Sequence, residues 1–114
     1  MVVSATALVS ALGIAAELGE CVFGAPEGWV ELFSLSYEEN VPTWYVSVLL
    51  AFCALGCLAL RSQRGERRWT VLAVLFLYVS LDEAVQIHEH AAFFATRGVL
   101  YFSWVIPAAA VVAL

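Results

Sequence analysis

Apolar residues fall in four long runs separated by short polar stretches, the pattern of helices that cross a bilayer. The first run starts at Val2 and passes Ile14 and Ala16 to reach Phe23, interrupted by Glu17 and Glu20. No Lys or Arg precedes it, which separates it from an export signal and makes it a membrane helix over 2–23. The second, Thr43 to Leu60, holds 18 residues without a charge, and Pro42 stands just before it, where a helix start tolerates proline. The third covers 69–87 and the fourth 99–114. This spacing predicts an all-α fold: a polytopic transmembrane helical bundle of about four membrane helices forming a single domain over 1–114. The last segment covers only about 24 Å at the helical rise, short of a hydrocarbon core of about 30 Å, so the fourth helix is expected to be truncated, with the native chain running on.

The connections have their own character. In the loop 24–42, Gly24, Pro26, Gly28 and Asn40 are turn formers. Within it Trp29, Leu32, Phe33 and Ser36 keep helical spacing, which predicts a short helix lying among lipid headgroups or against a partner. The loop 61–68 gathers Arg61, Arg64, Arg67 and Arg68 with only Glu66 opposing them, and the positive-inside bias assigns it to the cytoplasm. Counting crossings from there puts both termini on the cytoplasmic side and the acidic loop 24–42 outside, in a bacterial cytoplasmic membrane. Trp44, Tyr45, Trp69, Tyr101 and Trp104 open their helices at the level where amphipathic rings favour the interface.

Composition narrows the function classes. Hydrophobic residues make up 63% and charged residues 13%, which excludes an ordinary soluble domain. A net charge of -5, with five arginines as the basic residues, leaves no surface able to track a nucleic-acid backbone. Cys53 and Cys57, four apart in an apolar helix, and Cys21 in another read as packing residues rather than ligands. Ala7, Ala11, Ala15 and Gly19 recur every four residues and set small side chains on one face of the first helix, where another backbone can approach.

Candidate chemistry sits on the acidic side. At 1.5 Å per residue, Asp82 lies about 21 Å above Arg68 and Glu17 about 22 Å above Val2, so two carboxyls on different helices share a depth inside the hydrocarbon. Charges there must be paired, protonated or coordinated. Along the third helix Asp82, Gln86, Glu89 and His90 recur at i, i+4, i+7 and i+8 with Glu83 beside them, while His88 faces away. Glu17, Glu20, Asp82, Glu83, Glu89 and His90 together form a donor set suited to a divalent metal or to proton transfer. The competing reading leaves His88, Glu89 and His90 at the wet interface, and satisfies Asp82 and Glu83 by proton sharing or by hydrogen bonds to Tyr45, Ser47 or Ser103. A further alternative takes His88 or His90 as axial ligand to haem or chlorophyll, Ala84 four residues before His88 leaving room for a macrocycle. Ser4, Ser10, Ser47, Ser80 and Ser103 are expected to hydrogen-bond within or between helices. No catalytic constellation of known type is present, so no catalytic residues are assigned.

Glu39-Asn40-Val41-Pro42-Thr43-Trp44 ahead of a helix, Ser80-Leu81-Asp82-Glu83 with His88-Glu89 after a basic loop, and Trp104-Val105-Ile106-Pro107 form a series. Over residues 38–114 it resembles small uncharacterised bacterial multi-pass membrane proteins. The resemblance implies topology and directs attention to Asp82, Glu83, His88 and Glu89, but carries no activity.

The leading expectation is a small non-catalytic integral membrane subunit that packs against a larger membrane complex, such as an energy-transducing or photosynthetic one. Its partners are lipid and other membrane-protein subunits. A membrane enzyme or transporter built on the carboxylate and histidine set, and a pigment or haem module, are the alternatives. The buried acids weigh against a subunit that only fills space, since such a subunit has no evident use for Glu17 or Asp82 at that depth.

Overall fold

A computed structural model describes residues 1–87. Among the described residues the chain is all-helical: α1 (Val2–Phe23), α2 (Glu27–Phe33), α3 (Val41–Arg64) and α4 (Arg67–Val85). At the helical rise α1 and α3 extend about 33 and 36 Å. Both are long and apolar enough to cross a membrane. α4, at 19 residues, carries Arg67 and Arg68 in its first turn and Asp82 and Glu83 near its end. The expected fourth segment, 99–114, lies outside the described residues.

The chain divides into two compact units, with the boundary inside α3 between Val46 and Ser47. In the first unit α1 ends where Gly24 takes the left-handed conformation, φ 61°, which a residue lacking Cβ adopts without strain. The Gly24 and Ala25 amides close the end by donating to the Glu20 and Gly19 carbonyls. Pro26 then leads into α2, whose Val30 is buried while Trp29 and Leu32 remain exposed. Trp29 and Phe33, one turn apart, bring their ring centroids to 4.5 Å. The predicted short helix is thus present as far as Phe33, with Ser36 beyond its end; Trp29 is exposed and Phe33 half-buried.

In the second unit the helices α3 (from Ser47) and α4 form a hairpin. Gly65 and Glu66 are the whole connection, so the loop expected over 61–68 is mostly helix. Arg61 and Arg64 lie in the last turn of α3, where cations complement the partial negative charge of the helix end. Gly65, φ 73°, then reverses the chain, and its amide donates to the Arg61 carbonyl at 3.0 Å. Near the turn Arg61 Nε donates to Thr70 Oγ1 at 3.0 Å. Far from it the buried Ser47 and Ser80 exchange bonds, each hydroxyl donating to the other's carbonyl at 2.8 Å. The serine expectation therefore holds for these two residues. Buried Ala54, Cys57 and Ala73 are the small side chains of this unit's interior. Cys53, despite its spacing from Cys57, is exposed.

α4 stops earlier than the pattern predicts. Val85 is its last residue, and Gln86 takes the left-handed conformation, φ 53°, its amide donating to the Asp82 carbonyl at 2.8 Å. A left-handed residue breaks helical periodicity. Glu89 and His90, expected on the face of Asp82, lie outside the described residues.

Candidate functional site

The most developed polar arrangement among the described residues lies in the first unit, around Glu17. Gly13 is buried on α1, and a Cβ there would stand 2.5 Å from Leu35 Cγ and 3.1 Å from the Phe33 carbonyl oxygen. The missing side chain lets the segment after α2 lie against the helix. That segment runs back along α1, since Gly13 is ten residues, about 15 Å, before the end of the helix at Phe23. Part of the loop 24–42 therefore packs beside α1 rather than wholly beyond its end, because Gly13 provides the space and Glu17 the acceptor.

One turn along, the Glu17 carboxylate receives Ser34 Oγ–H at 2.5 Å and the Ser36 amide at 3.1 Å. Ser34 is almost fully buried and acts as the centre of the network. Its hydroxyl oxygen also accepts the Ser36 amide at 3.0 Å, its own amide donates to the Val30 carbonyl, and its carbonyl accepts Asn40 Nδ2 at 2.6 Å. Asn40 is buried and divides its amide between two tasks. Nδ2 donates to Ser34 and Tyr37 carbonyls, while Oδ1 accepts the Thr43 amide at 3.2 Å and the Thr43 hydroxyl at 3.1 Å. The second task is N-capping: the side-chain oxygen satisfies an amide of the first turn of α3 that has no carbonyl four residues earlier within the helix. Glu39, in the left-handed conformation with φ 58°, turns the backbone into that cap. Pro42, expected just ahead of the helix, lies inside its first turn, where its missing N–H removes no helical bond.

Tyr45, on the next turn of α3, completes the unit. Its hydroxyl lies 2.8 Å from Thr6 Oγ1 and donates to the Val2 carbonyl at 3.3 Å. Tyr45 and Ser47, considered above as partners for the deep acids, are thus bonded elsewhere, to α1 and to Ser80. The chemistry of the Glu17 network is that of a latch: a carboxylate, two hydroxyls and a carboxamide fasten a chain segment to a helix. None of its members has the arrangement of an activated nucleophile.

The expected metal donors separate as follows. Glu17 lies within the latch, Glu20 is an exposed residue one turn further along α1, and Asp82 and Glu83 lie near the end of α4 in the second unit, half-buried and each engaged in an interaction. Glu89 and His90, and the candidate axial ligand His88, lie outside the described residues. Among the described residues no three His, Cys, Asp or Glu side chains come together as metal ligands. Ser34, Asn40 and Thr43 were not expected to be site residues. For Asn40 and Thr43 the signal was present, since an asparagine three residues before Thr43 at the start of an apolar run is an N-cap pattern, whereas nothing local marked Ser34.

At the turn of the second unit the guanidiniums of Arg64 and Arg68 lie 6.0 and 5.6 Å from the Trp69 ring centroid. Glu66 forms an ion pair with Arg68. The Trp69 indole N–H is buried without a hydrogen-bond partner among the described residues, so contacts of its ring and not a hydrogen bond hold it there.

No curated protein and no solved structure matches this chain. One family model does, over residues 2–114, and its description is "Domain of unknown function (DUF8692)". With nearly the whole chain matched, from the first residue of α1 onward, the protein belongs to the DUF8692 family.

Proposed function

We propose that this protein is a small, non-catalytic integral membrane subunit that packs against other membrane proteins. In this reading α1, α3 and α4 cross a bacterial cytoplasmic membrane together with the 99–114 segment, the arginine turn faces the cytoplasm, and the resemblance to bacterial multi-pass proteins reflects common topology. The observation that carries the proposal is the engagement of Glu17. An acid deep in an apolar helix is the strongest sequence argument for an active site, and here its carboxylate instead holds Ser34 and Ser36. The acid has a structural use, so a subunit without chemistry has reason to keep it.

The surface of α1 supports the same reading. Gly13 and Ala16 are its buried residues, while Ala7, Ala11 and Ala15 are exposed together with Leu8, Ile14, Leu18 and Val22. A row of small residues on an apolar helix suits close approach of a neighbouring helix.

Native mass spectrometry of the protein extracted from its own membranes in mild detergent tests the proposal. A discrete heteromeric mass, reduced in an Ala11→Leu variant, is expected. A free chain or homo-oligomer carrying a metal-sized increment would overturn it in favour of the carboxylate and histidine set, and one carrying a haem-sized increment in favour of the haem or pigment alternative.

A further inference from the structure

The turn joining α3 to α4 concentrates positive charge. Four arginines fall within the eight residues from Arg61 to Arg68, and a two-residue connection holds the helix ends bearing them close together. One indole draws two of them in, with the Arg64 and Arg68 guanidiniums both within about 6 Å of the Trp69 ring, the range of a cation–π contact. Arg61 is tied locally, donating to Thr70 Oγ1 and to the Gly65 carbonyl, which uses two of its five N–H donors. Glu66 neutralises Arg68 alone. Arg64 and Arg67 are exposed, with no carboxylate against them among the described residues.

We propose that this turn binds the phosphate of an anionic phospholipid headgroup, an inference that rests on the membrane reading above. Glu66 offsets only one of the like charges gathered at this turn, and a guanidinium meets a phosphate through two parallel N–H donors. The position selects a lipid over a soluble anion. α3 is long and apolar enough to cross the bilayer, and Arg61 and Arg64 occupy its last turn. Trp69 lies just beyond, and indoles favour the headgroup level. The phosphate supplied at that level is a phosphodiester anchored in lipid, with Arg64 and Arg67 as its principal contacts and Arg61 and Arg68 flanking.

The test uses the full chain in mild detergent, titrated with phosphatidylglycerol or phosphatidylcholine and followed by native mass spectrometry. Phosphatidylglycerol is expected to bind the more tightly, and the Arg64→Gln/Arg67→Gln variant to lose about 25-fold in that affinity, about fivefold for each arginine removed. Glu66→Gln is expected to raise the affinity, a direction that damage to the fold would not produce. Equal binding of the two lipids, or an anionic preference unchanged in the double variant, would overturn the site. Displacement of phosphatidylglycerol by millimolar inorganic phosphate would assign the turn to a soluble anion and overturn the lipid. Resistance of the chain to alkaline extraction from membranes reports the membrane reading separately, so a chain that stays integral but loses lipid preference counts against the site alone.

Discussion

The two units solve the same problem, holding polar backbone and side-chain groups inside an apolar chain, by different means. In Met1–Val46 a long connection is fastened to α1 through one carboxylate, one buried serine and one buried asparagine, each serving several partners. In the unit beginning at Ser47 the connection is two residues long, and the helices are tied by paired bonds that duplicate one another. A network whose members are shared fails as a whole when one is removed, whereas duplicated bonds fail singly. The long segment of the first unit needs the shared kind, because its backbone amides lie beside a helix and have no helical partners of their own.

The sharpest break is Asn40→Ala. It removes the cap of α3 and leaves the Ser34 carbonyl without its Asn40 donor, for a combined loss of about 3 kcal/mol. Amide hydrogen exchange should show protection lost over residues 34–43, with α4 unchanged. Equal loss in α4 would mean that the units are not separate in their local stability. Glu17→Ala should follow with the same regional signature and a smaller effect, since Ser34 Oγ still receives the Ser36 amide. Glu17→Gln, which keeps an acceptor oxygen, should restore much of the protection.

A matched pair of glycines sharpens the contrast next. Both Gly13 and Gly56 lie inside helices, where alanine is intrinsically better by about 1 kcal/mol. At Gly56 nothing stands within 4 Å of the added carbon, so Gly56→Ala should stabilise by about that amount. At Gly13 the carbon meets Leu35 and approaches the Phe33 carbonyl, and overpacking of this kind costs about 1 to 3 kcal/mol. The same substitution should therefore be net destabilising in the first unit and stabilising in the second, as read by thermal unfolding in detergent.

These residues also show what the pattern of apolar positions could reveal. The limits of α1 match the expectation, and α2 was visible in the spacing of Trp29, Leu32 and Phe33, because amphipathic period is a local property. The ends of α3 and α4 were less visible. Arg61 and Arg64 read as loop because they are charged, yet cations are favoured in a last helical turn, and Gln86 gives no sign of its left-handed conformation. The latch was hidden for a different reason. Glu17 drew attention as a charge at depth, but its partners lie 17 and 19 residues away across a connection whose path depends on the space beside Gly13. No helical or strand period spans such a distance. The metal reading drew on a helix continuing through Glu89 and His90, which lie outside the described residues.

The smallest expected effects come from the serine pair, and they test the distinction between shared and duplicated bonds most directly. Ser47→Ala removes one hydroxyl but leaves the Ser47 carbonyl to receive Ser80, and Ser80→Ala does the reverse. Each single substitution should cost about 0.6 kcal/mol, the average found for polar contacts between membrane helices. The hydroxyl oxygens lie 3.2 Å apart and are the one contact the two bonds have in common. The double variant should therefore cost nearly the sum of the singles, about 1.2 kcal/mol, with little coupling. In the first unit Glu17→Ala combined with Ser34→Ala should cost much less than the sum, because both remove the same carboxylate–hydroxyl bond. Strong coupling between Ser47 and Ser80 would show that the second unit is also held by a shared network, and the contrast between the two would then reduce to the length of their connections.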